Sequence, residues 1–211
     1  MVRVYKLAPL SVCDTNSYLV ASSENNCALI DAPDDAEYIL DQVGLYGLTL
    51  KKIFLTHGHF DHVGAVADLY DETGCEVYIH EKDLSKLAKD DAVARLFGVG
   101  KIRRFSYAKP FGDNDILTLD ELEFDVLHTP GHTSGSVCFL IEDCMFSGDT
   151  LFYRSIGRTD MPDGDPVIMK QSLKKIYDLG GDLKVYPGHL STTTLDAERH
   201  YNPYLSYFGD F

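Results

Sequence analysis

Cysteine is sparse and unpatterned. Cys13, Cys27, Cys75, Cys138 and Cys144 make an odd five with no CxxC pair. That argues against a disulfide framework and a cysteine-held zinc site, and suits a reducing compartment. Basic residues are outnumbered, 19 Lys and Arg against 33 Asp and Glu, for a formal net charge of -14. Such a chain repels polyanions, so neither nucleic acid nor an anionic membrane is an expected partner. An anionic substrate would need local attraction, from a metal centre or a few placed arginines. No uncharged apolar run approaches the roughly 20 residues of a membrane span. The start, Met1-Val2-Arg3-Val4, has no apolar stretch leading to a small-residue cleavage site. No export signal is expected, and the expected location is the cytoplasm. Repeats, low-complexity segments and linkers are missing too. What remains is 211 residues with 45% hydrophobic content. That is enough for one core and predicts a single domain over residues 1–211, as a monomer or small homo-oligomer.

The local patterns mix strand and helix. Strands are predicted at Val2–Leu7, then as a hairpin from Asn16–Ala21 to Cys27–Asp31 around the turn-rich Ser23–Asn26. Pro33-Asp34-Asp35 opens a helix through about Val43 with Ala36, Ile39, Leu40 and Val43 on one face. Further strands are expected at Lys52–Thr56, Glu76–His80, Ile116–Leu119, Leu122–Leu127, Ser136–Ile141, Cys144–Phe146 and Lys184–Tyr186. Helices are expected at Val63–Tyr70, Glu81–Ala88, Thr194–His200 and Pro166–Tyr177, the last with Val167, Leu173 and Ile176 inward. Gly98–Pro110, carrying Lys101, Arg103, Arg104 and Lys109, reads as a functional loop. Two helix-flanked sheets packed face to face would bury the apolar faces.

The chemistry concentrates after the strand at residue 53: Ile53-Phe54-Leu55-Thr56-His57-Gly58-His59-Phe60-Asp61-His62. Residues two apart in extended backbone point the same way, so His57 and His59 can grip one ion and, after a turn, Asp61 and His62 a second. Packing three histidines and an aspartate at a strand end is costly unless they are paired or metallated. Three later fragments each place one more candidate after an apolar strand and beside a glycine: Gly131-His132, Gly148-Asp149 and Gly188-His189. Singly each is weak; together they complete two coordination spheres. His80 reads as a cap or surface residue, His128 as a partner of a ligand histidine or a packed ring, His200 as structural. Arg154 reads as a surface ion pair, and Tyr201, Tyr204, Tyr207 and Phe208 as a stripe covering the core.

His57-Gly58-His59-Phe60-Asp61-His62 resembles the HxHxDH signature of the metallo-β-lactamase superfamily, and His132, Asp149 and His189 resemble its remaining ligands in order. Gly148–Phe152 and Ser155–Asp160 look like the glyoxalase II-like branch in a short, single-domain form. The resemblance implies an α/β fold, a four-layer αββα sandwich. It implies His57, His59 and His132 on one metal, Asp61, His62 and His189 on the other, and Asp149 bridging. It also implies a substrate contact for Arg158.

A binuclear metal-dependent hydrolase is therefore expected, with zinc favoured over iron or manganese and Asp61 and Asp149 catalytic. Two divalent ions generate hydroxide at neutral pH and polarise a carbonyl. After Asp61, Asp149 and a bridging hydroxide are counted, about one positive charge remains, which favours a small anionic substrate. A thiolate, with a pKa near 8.5, leaves without a strong acid. The expected reaction is thioester hydrolysis, as of an S-acylglutathione. A mono-iron persulfide dioxygenase-like oxidoreductase on His57, His132 and Asp149, and a lactone hydrolase, are the alternatives.

Overall fold

The computed structural model describes residues 2–11, 13–88, 94 and 102–209. The first sheet holds β1 (Arg3–Lys6), β2 (Tyr18–Ala21), β3 (Asn26–Ile30), β4 (Thr49–Phe54), β5 (Glu76–His80) and β6 (Lys109–Phe111), in that spatial order. The first three run antiparallel; β3 to β6 run parallel. The second sheet is built from β7 (Ile116–Leu119), β8 (Leu122–His128), β9 (Val137–Ile141), β10 (Cys144–Gly148), β13 (Lys184–Pro187) and β14 (Thr193–Thr194). A short ribbon, β11 (Leu151–Phe152) with β12 (Ser155–Ile156), leaves its edge after β10.

Alternation along the strands sorts the core into three layers. Tyr18 and Val20 of β2, Ala28 and Ile30 of β3, and Phe139 and Phe146 of β9 and β10 meet between the sheets. The residues between them point outward: Leu19, Cys27 and Leu29 toward one helical layer, Cys138 and Met145 toward the other. Strands buried on both faces read as unbroken apolar runs, which is why Cys27–Ile30 and Val137–Ile141 lack polar alternation. Helices α1 (Ala36–Leu45) and α3 (Val66–Thr73) cover the first sheet, and α4 (Pro166–Tyr177) and α5 (Leu195–Tyr201) cover the second. The expected αββα layering is present. Among the described residues, no helix is long and apolar enough to cross a membrane.

Several local expectations change. The helix expected over Val63–Tyr70 is two pieces, the short α2 (Phe60–Val63) and α3. Glu81–Ala88 forms only a 3-10 turn at Leu84–Lys86, because Asp83 spends its carboxylate on distant loops. Helix α4 is capped by Asp165, which accepts from Val167 N (2.8 Å) and Ile168 N (3.0 Å), with Pro166 opening the helix. Its inward stripe is Met169, Leu173 and Ile176; Val167 is 67% exposed on the opposite side. In the C-terminal segment, Tyr201, Tyr204 and Tyr207 face outward while Leu205 is buried. Of the basic stretch, Lys101 lies outside the described residues. Arg103 pairs with Asp68 and Asp71, and Lys109, in β6, pairs with Glu76.

Candidate metal centre

Four strands deliver the seven candidate ligands to one edge. His57, His59, Asp61 and His62 follow β4; His132 follows β8; Asp149 follows β10 directly; His189 follows β13. In the second sheet β10 is parallel to β13, and β8 points the same way because β9 is antiparallel to both its neighbours. The three ends therefore share an edge. Val137 N donates to the Thr56 carbonyl (3.0 Å), tying that edge to the end of β4.

Glycine makes the approach possible in two different ways. Gly148 turns the chain with φ +46, and a Cβ there would meet the Thr56 side chain at 2.5 Å. Gly188 needs space instead: a Cβ would collide with Asp149 Oδ1 and lie 2.8 Å from His62 Cε1.

The donor atoms gather in three overlapping groups. His57, His59 and His132 form one group, His57, His62 and Asp149 a second, and Asp61, His62 and His189 a third, with donor atoms within 4.8 Å in each. Asp149 reaches across: its Oδ1 is 3.3 Å from His62 Nε2, and its Oδ2 is 3.4 Å from both His132 Nε2 and His189 Nε2. Hydrogen bonds fix which nitrogen each ring presents. Nδ1 of His62 donates to Asp31 Oδ2 (2.8 Å), that of His132 to the Arg158 carbonyl (2.8 Å) and that of His189 to the Cys13 carbonyl (3.1 Å). Thr56 Oγ1 gives its proton to Asp31, so it accepts from His57 Nδ1 at 3.1 Å. Four imidazoles thus turn Nε2 inward, the orientation of metal-binding histidines. His59 presents its Nδ1 instead, 2.8 Å from His132 Nε2.

These groups fit a metal pair. His57 Nε2, His62 Nε2 and Asp149 Oδ1 are buried without a hydrogen-bond partner. Orphaned buried polar atoms demand a cause, and nitrogen and carboxylate donors converging on one point supply it. The charges agree. Burial pushes the His57 pKa down and, with His132, that of His59 to about 4, keeping both rings neutral. Burial works to raise Asp61, but His62 and His189 outweigh it and bring it to about 2. His189 rises to about 9 against burial, through its bonds to Asp149 and Asp61.

Sequence reasoning missed the residues that hold this set. Asp31, at the end of β3, is buried and accepts from Thr56 N, Thr56 Oγ1 and His62 Nδ1, each at 2.8 Å. Asp83, fully buried, accepts from Gly58 N (2.8 Å), Thr133 Oγ1 (2.8 Å) and Gly135 N (2.9 Å), clipping the loop of His57–His62 to that of His132. Thr15 Oγ1 donates to Asp61 Oδ2 (3.1 Å). His80 corrects the surface reading but keeps the capping one: it is buried, accepts from Lys82 N at 3.3 Å and stacks on His128 at 4.3 Å, and both rings lie 2.9 Å from Asp113 Oδ1. His128 also donates to the Ser134 carbonyl (2.9 Å), steadying the loop of His132.

A cavity of about 650 Å³ opens over the donors, walled by Phe60, Phe152, Ile156, Met161, Pro162 and Leu190. Two cations line it, Lys86 and Arg158. Lys86 is held by Asp83 (2.6 Å) and Asp163. The Arg158 guanidinium binds Asp160 through two bonds of 2.7 and 2.8 Å. Arg154 binds the Ala197 carbonyl (2.7 Å) beside the buried Glu198.

Comparison with known proteins agrees with this geometry. Residues 10–193 match the family model of the metallo-β-lactamase superfamily. Hydroxyacylglutathione hydrolase GloC of Haemophilus influenzae is 36% identical, over 95% of this chain and 97% of that one. The crystal structure of TTHA1623 in a di-iron-bound form superposes with a TM-score of 0.87 at 38% identity, covering 95% of this chain and 100% of that one. The BLEG-1 B3 metallo-β-lactamase also gives 0.87, at 35% identity, covering 97% and 100%. With the seven donors, the two sheets and the matched span in agreement, the chain belongs to the metallo-β-lactamase superfamily.

Proposed function

We propose that this protein is a binuclear metal-dependent hydrolase that cleaves thioesters, with S-acylglutathiones as the first class to test. The observation that carries the reading is the inward set of histidine Nε2 atoms around Asp149, beneath an open cavity. His57, His59 and His132 would hold one ion, Asp61, His62 and His189 the other, with Asp149 shared. When bound, two divalent ions supply a hydroxide nucleophile at neutral pH and polarise a carbonyl.

The chain's own residues do the rest. Asp31, Arg158 O and Cys13 O each hold a ring proton at Nδ1, fixing the rings before substrate arrives. Asp61 and Asp149 stay ionised, because their neighbouring imidazoles hold both carboxyls below the usual carboxylate range against the effect of burial. Phe60 and Phe152 keep water from the walls. Lys86 keeps its proton. Burial works to lower its pKa, but Asp83 and Asp163 outweigh it. A leaving group that departs as an anion suits that arrangement; a thiolate does so near neutral pH, whereas an amine does not. The identity to the GloC relative supports the same reading, and the di-iron neighbour makes iron as reasonable a loading as zinc.

The test is anaerobic loading with zinc or iron, metal analysis, and loss of the thioester absorbance of S-lactoylglutathione, with His132→Ala as blank. Turnover well above the blank is expected. A fully loaded protein that leaves S-acylglutathiones intact overturns the thioester reading. Oxygen uptake with glutathione persulfide, and hydrolysis of a lactone, then separate the other two chemistries.

A further inference from the structure

Ten described non-glycine residues have a positive φ. Nine are polar, six of them Asp or Asn, which tolerate the left-handed region by bonding locally. The tenth is Leu190, with φ +67. A leucine gains nothing locally there, and its Cβ pays the steric penalty that glycine avoids. Nor is the side chain repaid by burial, since it is 56% exposed. The backbone is pinned: Asn16 Nδ2 donates to the Leu190 carbonyl at 2.9 Å, and Lys6 Nζ lies 3.4 Å from it. Strain of this kind, held by surrounding bonds, gathers at functional sites. Leu190 directly follows His189 and lines the cavity over the candidate metal centre.

The rest of the wall has the same character. Phe152 lies edge-on to the His189 ring (5.6 Å, 88°), and Ile156 and Met161 line the same cavity. The two cations at its rim are each bound to carboxylates, so charge there is already answered.

We propose that Leu190 is a specificity-determining residue. With Phe152, Ile156 and Met161, it seats an apolar acyl group, so the site favours aryl or branched aliphatic thioesters over small hydroxyacyl ones. This rests on the thioester reading of the same site.

The test keeps the thiol constant and changes the acyl group. kcat/KM for S-phenylacetylglutathione and S-lactoylglutathione is measured on metal-loaded wild type, Leu190→Gly and Leu190→Asn. The wild type is expected to prefer phenylacetyl about tenfold or more, in the range that apolar pocket contacts provide. Both variants are expected to lose about tenfold more on phenylacetyl than on lactoyl, mainly through KM, with a melting temperature that does not fall. A phenylacetyl-to-lactoyl ratio that is below one in the wild type, or unchanged in the variants, overturns the proposal. So does a lowered melting temperature in both, which would make Leu190 a packing residue. Calorimetric binding of phenylacetate against lactate separates this idea from the one it rests on. If no thioester is cleaved, the hydrolase reading falls. Tighter phenylacetate binding that is lost in both variants would still support the apolar seat, and equal binding would overturn it.

Discussion

Asp31 Oδ2 lies 2.8 Å from Nδ1 of His62 and takes the Thr56 hydroxyl proton at the same distance. One carboxylate at the end of β3 therefore aims the signature loop that follows β4. Asp31 has φ +58, which asparagine also accepts, so Asp31→Asn tests the charge without disturbing the backbone. Partners of ligand histidines typically cost ~10–100-fold in metal affinity when lost. Chelator competition should show weakening of that order; a curve that overlays the wild type would remove Asp31 from this role.

Asp83 is a stability prediction. Replacing it with alanine strands Gly58 N and Gly135 N in a buried site, leaves the Thr133 hydroxyl with Ser136 alone, and takes one partner from Lys86. Unsatisfied buried donors cost ~1–3 kcal/mol each before relaxation. Asp83→Ala should lose about 3 kcal/mol in urea unfolding. A loss under about 1 kcal/mol would mean that water replaces the carboxylate.

The pH dependence of the chelated protein follows from His189 and His62, whose pKa values both stand above the ordinary imidazole value. The folded pKa of His189, about 9, stands above the ordinary imidazole 6.5, so the bound proton stabilises the fold. That contribution is complete below about pH 6.5 and is lost as the pH rises through about 9. Melts in excess chelator should fall from pH 6.5 to pH 9, and His189→Asn should flatten that slope. An unchanged slope in the variant would assign it to other groups.

Helix α4 offers a paired control. Val167→Lys, on an exposed position, should change stability by less than about 0.5 kcal/mol. Met169→Ala, at a buried one, should cost about 2–5 kcal/mol. The reverse order would return Val167 to the core.

This pair also shows where sequence reading succeeds and stops. Periodicity places helix α4 correctly, yet a valine in its first turn reads as apolar whichever way it faces, and the stripe through Met169, Leu173 and Ile176 decides. The candidate ligands are legible because four of them crowd into six positions. Asp31 and Asp83 are not, because the loop groups they hold lie 25 to 52 residues away and an isolated aspartate carries no spacing. His80 shows the same limit from the other side: its burial comes from stacking on His128, a neighbour that only the sandwich supplies.

The division of the donors between the sheets has a mechanical consequence. Four follow β4 in the first sheet, and three follow β8, β10 and β13 in the second. Ions held across that seam would act as a rivet between two halves that otherwise adhere through the apolar layer between the sheets and a few hydrogen bonds at that edge. Prying the halves apart would have to break coordination first. The metal-loaded protein should then unfold more slowly than the chelated one, because opening of the sandwich carries the breaking of coordination with it.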